Sequence, residues 1–318
     1  MKLFRDIAPT TAHHSLQNYR QSVVVLGNFD GLHQGHQAVI ARARDLADAQ
    51  NRKLLVVSFE PHPRRVLSPT TPPEFRLMTL RQKSTNLGQI GVDALIALRF
   101  DRAFAALSPE QFIQTILVEG LAAATVVVGH DFCFGAKRQG TVATLLARPE
   151  FATVEIIPQK SPDQILFSST AVREALTIGD CQTVRKILGR DWAITDRVQH
   201  GDQRGRTIGF ATANLPIRRV MIPRFGVYAV RAKLAAESES IPGVANIGVR
   251  PTVGGTAPRL EVHLFNFNRD IYGKRLTVEL CDFIRPEQKF TSFDELKEQI
   301  ARDSVTAQKY HQASPLSA

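Results

Sequence analysis

The sequence lacks most of the features that mark secreted, zinc-binding or membrane-spanning proteins. Its 318 residues include only three cysteines, Cys133, Cys181 and Cys281, which are odd in number and far apart. Such cysteines fit neither a disulfide framework nor a zinc site, and they favour reduced thiols. The first ten residues have no apolar core typical of a signal peptide, and the longest apolar region, 116–128, is interrupted by a glutamate and a glycine. We therefore expect a cytoplasmic protein without a membrane partner.

The net charge is positive, but the basic residues do not form the pattern of a nucleic-acid-binding protein. Lys and Arg number 40 against 30 Asp and Glu, a formal charge of +10. A cationic protein attracts polyanions, including nucleic acid, acidic membranes and phosphorylated small molecules. No block of five or more Lys or Arg occurs, and no aromatic residues interleave with basic ones. We expect small anionic substrates and no nucleic acid, with a basic RNA-binding regulator as the alternative.

The distribution of apolar residues predicts two domains, as the length of the chain does. From residue 23 to about 158, short β-rich runs alternate with helix-like stretches, which predicts a parallel sheet with crossover helices. After about residue 185, short strands alternate with period two, as in an antiparallel barrel. A last helix is predicted to begin at Ser292, with Glu295 as capping partner and Phe293 on its inner face. The predicted domains are 1–185 and 186–318.

The strongest local pattern is GNFDGLHQGH at 27–36, directly after the apolar run 23–26 and at the start of a predicted helix. The N-terminal amides of a helix favour an anion, and glycines let a phosphate approach the backbone closely. His33 and His36 are three residues apart, so both rings can face one phosphate, while Gly35 keeps the space between them clear. The alternative is a tight turn with two surface histidines. No P-loop string is present, which argues against a P-loop kinase.

A second segment places hydroxyl groups and an arginine where they could bind another phosphate. Ser169 and Thr170 lie at a predicted helix start, and Arg173 follows one turn later. Hydroxyls and unpaired amides bind phosphate oxygens, and a guanidinium adds charge-assisted hydrogen bonds. Taken alone, the segment is more simply a helix cap with an exposed arginine. Together with the histidine motif, it predicts a second phosphate contact.

The β-rich half contains a candidate metal and phosphate site. Residues 201–214 supply three glycines four apart, the last of them Gly209, followed by Thr212 and Asn214. The last two are two apart, so in an extended segment both point to one side, where their oxygens could reach a Mg²⁺ bound to ATP. Glu261, on a later strand, could act as a general base. The alternatives are an ordinary turn and strand for the first segment and a solvated strand face for Glu261.

The order of four segments in the first half resembles the N-terminal half of bacterial bifunctional riboflavin kinase/FAD synthetases. These segments are GNFDGLHQGH, SFEPHP (58–63), VVVGHDFCFGAKRQG (126–140) and SSTAVR (168–173). The resemblance implies a Rossmann-like nucleotidylyltransferase domain, in which the FMN phosphate attacks the α-phosphorus of ATP directly and pyrophosphate leaves. His33, His36 and Arg173 would act in this catalysis. The residues implied to bind ATP and its phosphates are Gly27, Phe29, Asp30, Gly31, Gly35, Asp131, Ser169 and Thr170.

Two further residues of these segments, His62 and Phe132, are implied to contact the flavin. The sequence departs from the family at His130, where we expect an acidic or small residue, and at Phe167, where the family usually has an aliphatic one. Neither change touches the residues implied to bind phosphate. The departures therefore concern the flavin pocket rather than the transfer reaction.

The second half resembles the riboflavin kinase module in the order and spacing of its motifs, which lie at 201–214, 245–255, 260–265 and 285–300. That module is a six-stranded antiparallel β-barrel with a C-terminal helix. The resemblance implies that Thr212 and Asn214 bind Mg-ATP, that Glu261 activates the ribityl hydroxyl of riboflavin, and that Arg285 lies on the flavin side. Ala211 replaces a proline of the family, and because proline stiffens the backbone, its absence predicts a weakened kinase.

The two resemblances together predict an enzyme that phosphorylates riboflavin to FMN and then adenylylates FMN to FAD. ATP is the expected co-substrate of both steps, Mg²⁺ the expected metal, and riboflavin, FMN and FAD the substrates and products. A monomer or weak homo-oligomer is expected. The alternative is a single-activity nucleotidylyltransferase whose barrel binds flavin only for regulation, although Glu261 argues against it.

Overall fold

The computed structural model describes residues 1–7, 16–68, 70, 74–156, 167–200, 211–235, 237, 239–252 and 255–314. The chain divides into two compact units. The first, which we call the α/β unit, comprises Met1–Pro73 and Met78–Ser168. The second, the barrel unit, comprises Glu74–Leu77 and Ser169–Ala318. A four-residue segment early in the sequence therefore belongs to the second unit.

The α/β unit is built on a six-stranded parallel sheet, which confirms the predicted architecture. Its strands are β1 (Lys2–Ile7), β2 (Val23–Leu26), β3 (Leu54–Glu60), β4 (Ala94–Arg99), β5 (Thr125–Gly129) and β6 (Ala152–Ile156), in the spatial order β1-β4-β3-β2-β5-β6. Strand β2 is buried along its whole length: Val24 faces one apolar layer, and Val23 and Val25 face the other. A strand covered on both faces reads as a continuous apolar run, as this one does.

Helices on both faces of the sheet supply these two layers. They are α1 (Gln34–Ala49), α2 (Pro63–Leu67), α3 (Leu80–Gln89), α4 (Arg102–Ala105), α5 (Pro109–Phe112) and α6 (Val142–Leu146), and a π-helix spans Ile113–Gly120 directly after α5. Helix α1 buries Val39, Ile40 and Ala43 against the sheet at the spacing that the sequence predicts. The end of β2 and the start of α1 are thereby fixed relative to each other.

The barrel unit is a six-stranded antiparallel sheet that nearly closes on itself, as predicted. Its strands are β7 (Trp192–Arg197), β8 (Ala213–Pro216), β9 (Gly226–Leu234), β10 (Ile241–Thr252), β11 (Gly255–Leu264) and β12 (Arg275–Arg285), in the order β7-β12-β9-β10-β11-β8. A bridge between Gln199 and Asn214 joins the segment after β7 to β8, at opposite ends of that order. The side chains of Leu260 and Val262 are fully buried inside.

The described residues of the barrel unit form three helices: α7 (Ser169–Ile178), α8 (Cys181–Leu188) and α9 (Phe293–Ala313). The hydroxyl of Ser292 accepts the N–H of Glu295 at 3.2 Å, so the predicted start of α9 is confirmed. The prediction that Phe293 lies on its inner face is wrong, because this side chain is 53% exposed. The buried face of α9 consists instead of Asp303, Ser304 and Ala307.

Helix α8 is attached to the barrel by a polar network around Asp191. Arg185 Nε donates to Asp191 at 2.6 Å, and Arg185 Nη2 donates to the carbonyl of Cys281 at 2.9 Å and to the hydroxyl of Tyr310 at 2.8 Å. Arg231 lies 3.8 Å from the other carboxylate oxygen of Asp191. The network spans the predicted boundary between residues 185 and 186, which stays a prediction.

Candidate active sites

The first site lies at the carboxyl end of β2, where the strand order reverses. The chain proceeds from β2 to β3 on one side of the sheet, while β5 pairs with β2 on the other. In open parallel sheets, ligands bind in the crevice at such a switch point. The GNFDGLHQGH segment begins at this place. The position that sequence reasoning gave to a phosphate is therefore the one that the sheet topology favours.

The turn between β2 and α1 has an unusual backbone. Phe29, Gly31 and Leu32 have φ values of 48°, 85° and 47°. Positive φ is uncommon for residues other than glycine and persists where the surroundings enforce it. The ring of Phe29 lies so close to Gly27 that a Cβ atom there would be 2.8 Å from it. Asp30 is buried, and its Oδ1 accepts the N–H of Met78 at 3.3 Å.

The turn brings the two predicted histidines into direct contact. His33 caps α1, its Nδ1 accepting the N–H of His36 at 3.3 Å, and the two rings are stacked with centroids 3.5 Å apart. A Cβ atom at Gly35 would lie 3.2 Å from the His33 ring, which explains the glycine between them. The Nδ1 atom of His36 is buried and has no hydrogen-bond partner among the described residues.

Burial keeps both imidazoles neutral. It lowers the pKa of His33 to about 4, although the charges of Asp131 and Asp30 oppose the shift. The pKa of His36 is also held well below its ordinary value, first by burial and then by repulsion from the positive charges that a protonated His33 and Lys83 would place beside it. Because the Nδ1 of neutral His33 accepts a hydrogen bond, its proton is on Nε2. His33 can therefore donate a hydrogen bond to an anion without carrying charge itself.

Further predicted residues follow the ends of the neighbouring strands. Asp131 follows β5 and is exposed, and its carboxylate acts on the pKa of His33 as described above. Phe132 is partly buried, with its ring stacked on Phe134 at 5.7 Å. His62 follows β3 and caps α2, its Nδ1 accepting the N–H of Arg64 at 3.2 Å. All three follow strands whose carboxyl ends lie at the same edge of the sheet as the histidine pair.

A chain of phenylalanine rings extends from the end of β3 to the segment after β5. Neighbouring centroids are 5.3 to 6.1 Å apart, and the members are Phe59, Phe100, Phe104, Phe112, Phe134 and Phe132. Phe100, Phe104 and Phe132 are partly buried, while the others belong to the core. The chain therefore presents aromatic surface beside the predicted flavin residue Phe132.

One residue that sequence reasoning missed is Lys83, on α3. Its side chain is buried, and its Nζ donates to the backbone carbonyl of Asn28 at 2.5 Å and to the hydroxyl of Ser58 at 3.0 Å. The signal that could have identified it is its position four residues before Leu87, on the buried face of that helix. A lysine on an apolar helix face needs a polar partner inside the fold.

The SSTAVR segment, apart from its first residue Ser168, lies in the barrel unit, at the start of α7, as predicted for a helix start. Ser169 is half-buried and Thr170 exposed. Arg173 Nε donates to the carbonyl of Phe75 at 2.8 Å, and its guanidinium lies over the Phe75 ring at 5.4 Å. Since the histidine pair belongs to the other unit, a shared phosphate site stays a prediction.

In the barrel unit, strand register aligns three polar residues. Glu261 on β11 pairs with Asn214 on β8 and with Asn246 on β10. Residues directly opposite each other in a sheet point to the same face. Asn214 is buried, and its Oδ1 has no hydrogen-bond partner among the described residues. The predicted pair of Asn214 and Glu261 is thus brought together, and Asn246 joins it as a residue that sequence reasoning missed.

The other predicted residues of the barrel unit lie in different environments. Thr212 is half-buried, directly before β8, and Gly209 lies outside the described residues. The carbonyl of Ala211 lies 3.0 Å from the Nδ1 of His263. Arg285 forms a bidentate ion pair with the buried Asp303 of α9, with distances of 2.7 to 3.1 Å. Its Nη1 donates to the carbonyl of Pro286.

Comparisons with known proteins cover both halves of the chain. The FAD synthetase family model matches residues 15–171, and the riboflavin kinase family model matches residues 188–311. A protein from Escherichia coli K12 named bifunctional riboflavin kinase/FMN adenylyltransferase is 42% identical over 314 residues, covering 98% of each chain. The chain belongs to this bifunctional family. The Bacillus subtilis protein of the same name is 37% identical and covers 96% of this chain and 98% of its own.

A solved structure has the same fold over nearly the whole length. It is described as a macrolide-efflux protein from Streptococcus pneumoniae, is 30% identical, and matches 97% of this chain and 99% of its own with a TM-score of 0.86. Its description names a different activity from that of the bifunctional relatives. In this chain, none of the helices within the described ranges has the length and apolar character needed to cross a membrane.

Proposed function

We propose that the α/β unit transfers an adenylyl group from ATP to FMN and that the barrel unit phosphorylates riboflavin to FMN, so that one chain makes FAD in two ATP-dependent steps. The observation that carries this proposal is the stacked pair of neutral histidines at the switch point of the parallel sheet. The two consecutive family matches support the division of labour. Along the sequence, we propose residues 1–185 for the first activity and 186–318 for the second, so that α7 and the first part of α8 are counted with the first activity although they belong to the barrel unit.

In the first reaction, a phosphate oxygen of FMN attacks the α-phosphorus of ATP. A new P–O bond forms, and the bond to the oxygen bridging the α- and β-phosphorus atoms breaks, so pyrophosphate leaves with the electron pair. The Nε2–H of neutral His33 donates to an oxygen of the α-phosphate as its charge grows, and His36 does the same from the stacked ring. Preorganised donors in a buried site stabilise such charge strongly.

The remaining ATP contacts are assigned from the family motifs. Those of the turn are Gly27, Phe29, Asp30, Gly31 and Gly35. Asp131 is assigned to the nucleotide side, where its carboxylate also acts on His33. Ser169, Thr170 and Arg173 are assigned to the phosphate end of ATP because the SSTAVR segment supplies hydroxyls and a guanidinium at a helix start.

For the flavin of the first reaction, we propose a place beside Phe132 and His62. The phenylalanine chain that ends at Phe132 offers ring faces and edges suited to an aromatic isoalloxazine. For the flavin of the second reaction, we propose that Arg285 contributes indirectly, by positioning the segment 286–290 on the flavin side of the barrel. Its bond to Pro286 and its position 5.9 Å from the Phe290 ring support this role.

In the second reaction, Glu261 accepts the proton of the terminal ribityl hydroxyl while that oxygen attacks the γ-phosphorus of ATP. The bond between the γ-phosphorus and the bridging oxygen breaks, and ADP leaves. The alignment of Glu261 with Asn214 supports this assignment, because it places the base beside the residue assigned to the phosphates. Gly209 and Thr212 are assigned to the same phosphates from the family motif.

The residues present fit a magnesium ion at the kinase site. The Oδ1 of Asn214 is a buried oxygen without a partner among the described residues, and amide and hydroxyl oxygens suit this hard cation. Asn214 and Thr212 would hold it. Bound there, Mg²⁺ would neutralise phosphate charge and orient the transferred group.

The test is a time course of the purified chain with riboflavin, ATP and Mg²⁺, in which riboflavin, FMN and FAD are separated by chromatography. We expect FMN to form first and FAD to follow. FAD from added FMN, without FMN from riboflavin, would support the single-activity alternative with a regulatory barrel. No conversion of either flavin would refute both assignments.

We further propose a cytoplasmic monomer or weak homo-oligomer that binds no nucleic acid. The positive charge is accounted for by two anionic substrates. Sedimentation at increasing concentration tests the oligomeric state, and salt-dependent retention of RNA on a filter would contradict the second statement.

A further inference from the structure

Lys83 is a buried cation next to the adenylyl-transfer site, without an assigned role in either reaction. It is 5% exposed, and no other lysine or arginine of the described residues is buried to this degree. Removing an ammonium group from water is costly unless hydrogen bonds and charges compensate for it. The hydrogen bonds of Lys83 must therefore compensate for the burial of its ammonium group.

The contacts of Lys83 tie the turn to the sheet. Its Nζ donates to the carbonyl of Asn28 at 2.5 Å, and the hydroxyl of Ser58, another acceptor of Lys83, itself donates to that carbonyl at 3.2 Å. Ser58 belongs to β3, the neighbour of β2 in the sheet. The carbonyl of Asn28 in the turn therefore accepts hydrogen bonds from Lys83 of α3 and from Ser58 of β3.

The segment that carries Lys83 also holds the turn at a second point. The N–H of Met78 donates to Asp30, two residues beyond Asn28. Thr79 and Gln82 form a reciprocal capping box that fixes the start of α3 between these two contacts. The backbone with positive φ values at Phe29, Gly31 and Leu32 begins directly after the carbonyl that Lys83 binds. A conformation of this kind needs outside constraints.

We infer that Lys83 is a positioning residue for adenylyl transfer, which holds the turn in the conformation that stacks His33 on His36. The inference rests on the proposed function of the histidine pair. Its reach to the pair has independent support, because the charge of Lys83 is one of the causes that lower the pKa of His36. Displacing a catalytic group by about 1 Å can lower a rate by about 10²-fold.

The experiment compares the full-length wild type with Lys83→Met and Lys83→Arg in two assays, FAD formation from FMN and FMN formation from riboflavin. We expect Lys83→Met to lower the kcat of FAD formation by about 10²-fold, with a smaller change in the KM for FMN. Lys83→Arg keeps a cationic donor and should recover part of the loss. The kinase reaction on the same chain controls for folding and should be unchanged.

The outcomes separate the inference from the function on which it rests. If the wild type makes no FAD from FMN, the proposed function fails first. If the wild type is active and Lys83→Met keeps its kcat, Lys83 contributes only to stability and the inference is wrong. If Lys83→Met loses both activities, Ser58→Ala decides, since it removes a hydroxyl that braces the same carbonyl. We expect it to lower the kcat of FAD formation about threefold, which corresponds to the loss of one hydrogen bond, and a wild-type kcat would overturn the inference.

Discussion

The two units position their proposed reactive groups in different ways. In the α/β unit, His33 and His36 are placed by a turn whose backbone takes positive φ values at three residues. In the barrel unit, Glu261 and Asn214 are placed by the register of adjacent strands. A turn depends on contacts from outside itself, whereas a ladder of hydrogen bonds fixes register along the whole strand. The first site should therefore be the more sensitive to substitutions outside the reacting groups.

The largest expected effect is that of a substitution at Glu261, which should impair one of the two reactions and leave the other unchanged. Glu261→Gln keeps the size and a hydrogen-bonding group but removes the basic oxygen. Because a general base contributes about 10²- to 10⁴-fold, the rate of FMN formation from riboflavin should fall by that factor. FAD formation from added FMN should not change. A fall of less than about tenfold would remove Glu261 as the base.

The next effect tests the histidine pair in the other unit. His33→Ala should lower the rate of FAD formation from FMN by about 10²- to 10³-fold, because it removes a preorganised donor to the α-phosphate. His33 also caps α1, so His33→Asn is the matched control: asparagine restores a helix cap but not the imidazole. Both variants should lose FAD formation equally. An active His33→Asn would mean that His33 serves only as the cap.

A third prediction tests whether the ion pair of Arg285 stabilises the barrel unit. Its ion pair with Asp303 is buried, with 15% and 6% of the side chains exposed. Breaking such a pair leaves an uncompensated charge, so Arg285→Ala should lower the unfolding free energy of the barrel unit by about 3 kcal/mol. The control, Arg302→Ala, breaks an exposed pair with Glu298 and should cost less than about 1 kcal/mol. If Arg285→Ala and Arg302→Ala had equal unfolding free energies in denaturant, the structural role of Arg285 would be contradicted.

The smallest effect concerns Ala211 at the entry to β8. Ala211→Pro should restrict the backbone before Thr212, which favours the bound form by about 0.4 to 1 kcal/mol. The KM of the kinase for ATP should therefore fall by about two- to fivefold. The carbonyl of Ala211, which faces His263, is retained in proline. An unchanged or higher KM would show that the alanine does not weaken the kinase.

The sequence was informative where one pattern determines the placement. The parallel sheet followed from the apolar runs, and the spacing of His33 and His36 at a helix start predicted that both rings can face the same side. Their direct stacking was not predicted. The strand β1 was missed because its sequence, KLFRDI, is neither a continuous apolar run nor a strict alternation. Phe293 was misplaced because a side chain at a helix start can face solvent whatever its polarity.

Lys83 and Asn246 were missed for a different reason. Their positions depend on tertiary contacts between segments far apart in the chain, through the carbonyl of Asn28 for one and the strand pairing to Glu261 for the other. Local periodicity does not report such contacts. The pairing of the SSTAVR segment with the histidine motif, likewise a contact between distant segments, stays a prediction.

The contacts of helices α7 and α8 determine where this chain could be joined to a relative in a chimeric protein. Arg224, two residues before β9, donates its backbone N–H to the carbonyl of Leu176 and its guanidinium to the carbonyl of Ile178, and Arg185 attaches α8 to Asp191. A recombination joint at residue 186 would transfer the barrel without α7 and without the first part of α8, and it would separate Asp191 from Arg185. A joint before Ser169 would keep the network whole, but the SSTAVR helix would then be inherited with the kinase barrel.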